Sequence, residues 1–206
     1  MKVQNIAKTT DSPLSFVGSV AGASYGKDDP SRKRAVRCFE LGHMSVFEHV
    51  SVTWRIEGIS RACSHQLVRH RLASYCQQSQ RYTEVGTATA EDGANWYVTP
   101  PEIEASDRTL VEYEVAMGTC ADHYNSLLKK GIKPEDARYV LPESTKTSIN
   151  VTMNLREFAN FYELRADKHA QWEIRELAEE MLGELQLLGG EWKDFTEMIE
   201  EVRGGY

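Results

Sequence analysis

A chain of 206 residues with 41% hydrophobic content fits one domain and can bury a sizeable core. A formal net charge of -7 and a pI of about 5.4 exclude a surface built to coat nucleic acid, but not a small anion held by a local arginine cluster. No window approaches 18 uninterrupted apolar residues and the first ten residues hold no apolar run, so neither a membrane span nor a signal peptide is expected.

In chain order, residues 2–7 read as a short strand. Residues 11–25, broken by Ser, Pro and Gly, read as loop with a short element near 16–23. Asp28-Asp29-Pro30 opens a helix, an acidic cap followed by proline, that runs to about Leu41 and stops at Gly42. Ala35, Cys38, Phe39 and Leu41 form its apolar side, and Arg32, Lys33, Arg34 and Arg37 its solvated face. Val50, Val52, Trp54 and Ile56 alternate with Ser51, Thr53 and Arg55, the period of a strand with one buried face, which Gly58 ends. Ser60 can cap a helix from Arg61 to about Arg69, with Ala62, Cys63, Leu67 and Val68 inward; the chain then enters a loop.

Residues 83–97 are small and polar and read as an exposed loop or edge excursion. Pro100-Pro101-Glu102 opens a long helix to about Lys130, ended by Gly131, and a short helix from Lys133-Pro134 carries Arg138 and ends at Leu141-Pro142. Ile149, Val151 and Met153 alternate with Ser148, Asn150 and Thr152 in a strand over 145–153. Asn154 caps the next helix, with Glu157 completing a capping-box pattern. Phe158, Phe161, Tyr162 and Leu164 face its core, while Arg156, Asn160 and Arg165 lie off that stripe. Residues 169–188 form an amphipathic helix ended by Gly189-Gly190, and residues 192–202 a short terminal one. Few strands among five or six helices make the class α+β: a mixed or antiparallel sheet flanked by several long helices, in a single domain.

The stretch from Arg61 to Tyr82 carries the chemistry. It holds Arg61, Arg69, Arg71, Arg81, His65 and His70 and neither Asp nor Glu, in a chain with 31 acidic residues. Guanidinium groups give planar, paired hydrogen bonds to phosphate and carboxylate. Gln77, Gln78, Ser79 and Gln80 add donors and acceptors suited to the edge of a nucleobase. An anion grip beside a base-reading run points to a nucleotide. There is no glycine-rich phosphate loop, so any phosphate falls to side chains, mainly arginine. The six His show neither H-E-x-x-H nor zinc-ligand spacing, so no metal is expected. Cys38, Cys63, Cys76 and Cys120 form no C-x-x-C pair and read as free thiols of a reducing, cytoplasmic compartment. Cys76 is intrinsically the stronger nucleophile of the stretch, although packing is the commoner role of a free cysteine; Ser79 has no carboxylate nearby in sequence to take its proton.

Arg69-His70-Arg71, seven residues and then Ser79, followed by Gln80-Arg81-Tyr82, resembles the signature of the flavin-dependent thymidylate synthases. The likeness extends from about His43 to Glu173 and takes in His43-Met-Ser-Val-Phe-Glu-His49, Ala137-Arg138-Tyr-Val-Leu-Pro142 and Arg165-Ala-Asp-Lys-His-Ala-Gln-Trp-Glu173. It implies an enzyme that makes dTMP from dUMP, with 5,10-methylenetetrahydrofolate as carbon donor, FAD as redox carrier and NADPH as reductant. It further implies a homotetramer with shared active sites; the acidic balance and the lack of an apolar span leave neither a nucleic acid nor a membrane expected as partner. By resemblance, Ser45, Arg69, His70, Arg71, Gln77, Asn154, Arg156 and Asn160 contact FAD. Gln66, Arg69, Gln77, Gln78, Ser79, Gln80, Arg81, Arg138 and Arg165 hold dUMP. Gln77 stands where some relatives have Glu. Arg165 and Ser79 are the implied catalytic pair. Arg165 stabilises negative charge on the pyrimidine, which makes carbon 5 nucleophilic, and Ser79 positions the nucleotide, so no covalent enzyme nucleophile is needed. The rival is a non-catalytic nucleotide or single-stranded RNA-binding module using Arg69, Arg71, Arg81 and Tyr82 for phosphate and stacking. The acidic balance weighs against it, and a yellow protein that bleaches with NADPH separates the two.

Overall fold

The computed structural model describes residues 1–86 and 95–204, without the side chains of 203 and 204. Four strands, β1 (Lys2–Lys8), β2 (Ser51–Ser60), β3 (Ala73–Gln77) and β4 (Lys146–Asn154), form an antiparallel sheet in the order β1-β2-β4-β3. The helices among the described residues are α1 (Pro13–Ala23), α2 (Arg32–Glu40), α3 (Arg61–Leu67), α4 (Pro101–Glu104), α5 (Asp107–Lys129), α6 (Pro134–Ala137), α7 (Leu155–Arg165), α8 (Trp172–Leu187) and α9 (Gly190–Gly204). Short 3-10 turns cover Met44–His49 and Arg138–Val140. The class is α+β, as the sequence reads. By its packing the chain divides into two compact units: Met1–Ile56, Gln66–Cys76 and Asn150–Tyr206, and Glu57–His65 with Gln77–Ile149.

In the first unit the alternation of β2 and β4 buries Val52, Trp54, Ile56, Val151 and Met153. Trp54 stacks on Phe158 of α7 with ring centroids 5.1 Å apart. Asn154 caps α7 as expected, its Oδ1 accepting from the Glu157 amide at 2.9 Å. Phe158, Phe161 and Tyr162 are buried, but Leu164 is 55% exposed. At 3.6 residues per turn Leu164 sits about 120° around the helix from Phe158, too far to share its face. α8 starts at Trp172 rather than 169, because the Gln171 side chain caps it by accepting from the amides of Glu173 and Ile174. Gly189 stops it at a φ of +69°, and α9 is longer than expected, since Gly190 already belongs to it.

The N-terminal loop reading is corrected. Pro13 opens α1 at a position where its missing N–H costs nothing. Gly18 and Gly22 let neighbouring backbone approach: a Cβ on either would lie 1.9 Å from a carbonyl oxygen, Ser31's or Lys27's. α2 begins at Arg32 behind Ser31, later than Asp28. Arg34 is not merely solvated, for its Nη1 donates to the Gly18 carbonyl at 2.6 Å. Leu41 lies just beyond the helix, 52% exposed.

In the second unit Gly58 does not end β2. It takes a φ of +79° and the strand continues through Ile59 to Ser60, both buried, which breaks the alternation of Val52, Trp54 and Ile56. Ser60 Oγ accepts from the Cys63 amide at 2.9 Å, the expected cap of α3. That helix stops at Leu67, short of Arg69, and Val68 is exposed. The long helix over 100–130 is two, α4 and α5, split where Ser106 takes an extended conformation and restarts the helix. Trp96, Tyr97, Met117 and Ala121 form a core with Val85, Tyr113, Cys120 and Leu141 packed against it. The expected loop over 83–97 is corrected at this end, where Trp96 and Tyr97 are buried and Tyr97 bridges Thr145; residues 87–94 lie outside the described residues.

Candidate active site

The signature does not run wholly into loop, because residues 73–77 are β3. The edge position of that strand explains why the sequence hides it: Ala73, Tyr75 and Gln77 are half-buried and no apolar stripe is needed. Before it, the chain turns at Arg69-His70-Arg71. Tyr75 holds the turn, its hydroxyl lying 2.9 Å from the Leu67 carbonyl and 2.7 Å from that of His70. Burial, with Glu157 adding to it, pushes the Tyr75 phenol up, so it stays protonated as a donor.

Within the first unit this turn buries His70 between helix residues. Arg165 Nε donates to His70 Nε2 at 2.9 Å, and Glu157 Oε1 lies 3.4 Å from His70 Nδ1. The Phe161 ring meets the imidazole edge-on, centroids 5.0 Å apart. Burial, then the Arg165 charge, lowers His70 to about 4, so the imidazole is neutral at pH 7 and the Glu157 contact is not an ion pair. Arg69, Arg71 and Ser45 are exposed and Gln66 is half-buried. On α7, Arg156 and Asn160 line a cavity of about 270 Å³ whose other walls include Phe39, Met44, Ile199 and Val202. Arg156 Nη1 donates to Glu48 Oε1 at 2.5 Å. An apolar wall with a cation and an amide at its edge can hold a flat ring carrying an anion.

Within the second unit Gln77 Nε2 donates to Ser64 Oγ at 2.9 Å and approaches Thr147 Oγ1 at 3.3 Å. Gln78, Ser79 and Gln80 line one cavity of about 190 Å³ with Lys146, Thr147 and Trp96. Gln80 also lines a second, of about 370 Å³, with Arg61, His65, Arg138, Tyr139 and Glu143. Arg81 Nε donates to Glu135 Oε2 at 2.5 Å, and Arg138 Nε to the Glu135 carbonyl at 3.0 Å. Ser79 Oγ accepts from the Arg81 amide at 3.2 Å; among the described residues it has no hydrogen bond to a histidine or carboxylate that could act as its base. Cys76 is exposed and the four cysteines are free. No group of three or more potential metal ligands occurs among the described residues.

Arg61 was absent from the expected site. Burial and the neighbouring Arg138 charge lower its pKa, against the opposing pull of Glu143. Two guanidinium groups in one cavity, beside Glu143, can hold an anion, and in the sequence Arg61 stands at the head of the acid-free stretch.

The pattern of the family described as "Thymidylate synthase complementing protein" matches residues 5–188. A protein of Geobacter sulfurreducens named "Flavin-dependent thymidylate synthase" is 44% identical over 192 residues, 88% of this chain and 81% of that one. One of the same name from Pyrococcus horikoshii is 47% identical over 149 residues, 72% of this chain and 60% of its own length. Among solved structures, a UMP/dUMP methylase from Streptomyces cacaoi bound with 5-Br dUMP superposes with a TM-score of 0.80 at 25% identity, covering 97% of this chain and 94% of that one. A flavin-dependent thymidylate synthase from Helicobacter pylori complexed with FAD and dUMP gives 0.76 at 24% identity, over 98% and 99%, a likeness of fold. On the match over residues 5–188 and the identity to the Geobacter sulfurreducens protein, this chain belongs to the flavin-dependent thymidylate synthase family of enzymes.

Proposed function

We propose that this chain converts dUMP to dTMP by reductive methylation, with 5,10-methylenetetrahydrofolate as carbon donor and NADPH-reduced FAD as hydride source. The observation that carries the proposal is the Gln78–Gln80 segment, which lines one cavity with Lys146 and, through Gln80, a second with Arg61 and Arg138. Amide donors and acceptors beside paired guanidinium groups suit a phosphorylated pyrimidine.

Gln66, Arg69, Gln77, Gln78, Ser79, Gln80, Arg81, Arg138 and Arg165 are the proposed dUMP residues, and Arg61 joins them. Arg165 stabilises the charge that builds on the pyrimidine ring as carbon 5 becomes nucleophilic, and a preorganised guanidinium does this without moving. Ser79, lacking a base, positions the nucleotide and does not attack it. Ser45, Arg69, His70, Arg71, Gln77, Asn154, Arg156 and Asn160 are the proposed FAD residues. The cavity beside Arg156 and Asn160 would take a part of such a group, with apolar walls for a ring and a cation for its diphosphate. When bound, FAD supplies the redox chemistry. The protein acts in the cytoplasm as one domain, in a homotetramer whose subunits share residues of each site.

The test is to mix the purified protein with dUMP, methylenetetrahydrofolate and NADPH, with and without added FAD. Formation of dTMP that depends on flavin is expected; no dTMP from flavin-loaded protein overturns the proposal.

A further inference from the structure

We propose that Glu157 is a positioning residue for Arg165, acting through the tautomer of His70; this rests on the reading of Arg165 as the cation that holds the pyrimidine. Glu157 is 5% exposed and His70 6% exposed, and the chemistry described so far gives Glu157 no part. Glu157, Phe161 and Arg165 follow one another at intervals of four on α7, so they share one helix face. His70 lies against all three, facing the Glu157 carboxylate at 3.4 Å, the Phe161 ring at 5.0 Å and the Arg165 Nε at 2.9 Å.

The donor count then dictates the protonation. Arg165 Nε–H can only donate, so His70 Nε2 must present a lone pair. A neutral imidazole accepting at Nε2 carries its proton on Nδ1, the nitrogen that faces Glu157 Oε1. The low titration of His70, about 4, agrees with a neutral ring. Without an acceptor at Nδ1 the other tautomer becomes competitive, and its Nε2–H would oppose Arg165 Nε–H, donor against donor. Glu157 therefore selects the tautomer that lets His70 aim the guanidinium. One Arg165 N–H is committed to His70, leaving the two Nη groups for the ligand.

The surroundings hold Glu157 in this role. Its backbone amide is taken by Asn154, which places its carboxylate at the N-terminus of α7, where the helix dipole favours an anion. Burial raises its pKa, opposed by a hydrogen bond from the Asn160 side chain and by the Arg156 charge. The Tyr75 hydroxyl, also near Glu157, is turned to the carbonyls of Leu67 and His70.

The experiment reads the His70 ring nitrogens by ¹⁵N NMR of histidine-labelled protein at pH 7, assigned with His70→Gln, and dUMP affinity by titration of the flavin-loaded protein. The parent is expected to show neutral, Nδ1-protonated His70. Glu157→Leu should move the ring toward the Nε2–H form and weaken dUMP binding by about tenfold or more. Glu157→Gln, whose amide oxygen can accept the same proton, should stay within about threefold of the parent. A protonated or Nε2–H His70 in the parent overturns the proposal whether or not the Leu variant folds. So does Nδ1–H retained with parental affinity in Glu157→Leu while Arg165→Ala has lost dUMP. Should Arg165→Ala bind and turn over dUMP as the parent does, the reading of Arg165 fails, and the positioning proposal with it.

Discussion

Arg165 Nε donates to the His70 imidazole at 2.9 Å, and that contact sets what substitutions should do. Replacing Arg165 by Ala should cut dTMP formation by about a hundredfold or more, the scale of removing one preorganised charge-stabilising donor, with the protein still folded by circular dichroism. Cys76→Ala should leave turnover within about twofold, because an exposed free thiol with no role in the proposed reaction can be lost cheaply. Ser79→Ala should weaken dUMP binding yet leave some turnover; a dead protein that binds dUMP normally contradicts a positioning role. The His70 titration also couples to stability. Its pKa is lowered from 6.5 to about 4 on folding, so its contribution is complete above about 6.5 and is lost as pH falls toward 4. Glu157, whose pKa burial raises, has the opposite sign and loses its contribution as pH rises. The urea midpoint of the parent should therefore drop on acidification across that window, and drop less in His70→Gln; equal slopes contradict the assignment. At this scale the sequence was partly legible. His70 and Ser79 stand in the long signature and Arg165 in a second matching segment. Arg61 and Glu157 were not legible, because a cation at a helix start and an acid at a cap position each have an ordinary local explanation that only tertiary neighbours displace.

Elements with strong periodicity read cleanly. β2 and β4 alternate, and the caps at Ser60 and Asn154 form the bonds their side chains suggest. Misreadings fell where one local signal has two physical uses. The glycines of α1 looked like breaks, but they are sites of close approach, and β3 has no apolar face because it is an edge strand. Gly18→Ala should cost about 1–3 kcal/mol, since its methyl would meet the Ser31 carbonyl at 1.9 Å and backbone must move. A thermal midpoint unchanged from the parent would refute that packing. Asn154→Ala should cost about 1 kcal/mol through loss of the α7 cap, measured on flavin-free protein so that cofactor binding does not contribute.

For the whole molecule, the acidic balance and the acid-free stretch belong to one design. In a chain of net charge -7, Arg61 and Arg138 line one cavity of one unit, and Arg156 and Arg165 lie on α7 in the other. Composition alone weighs against a nucleic-acid coat but names no family; the motif did, and the family match over residues 5–188 agrees with it. The central claim is that arginines activate the pyrimidine without a bond from protein to nucleotide. The most direct measurement is intact-protein mass spectrometry of a reaction acid-quenched during turnover of dUMP with all cosubstrates present. The account predicts accumulating dTMP beside a chain of unmodified mass. A nucleotide covalently attached to Ser79, Cys76 or any other residue during productive turnover would contradict it.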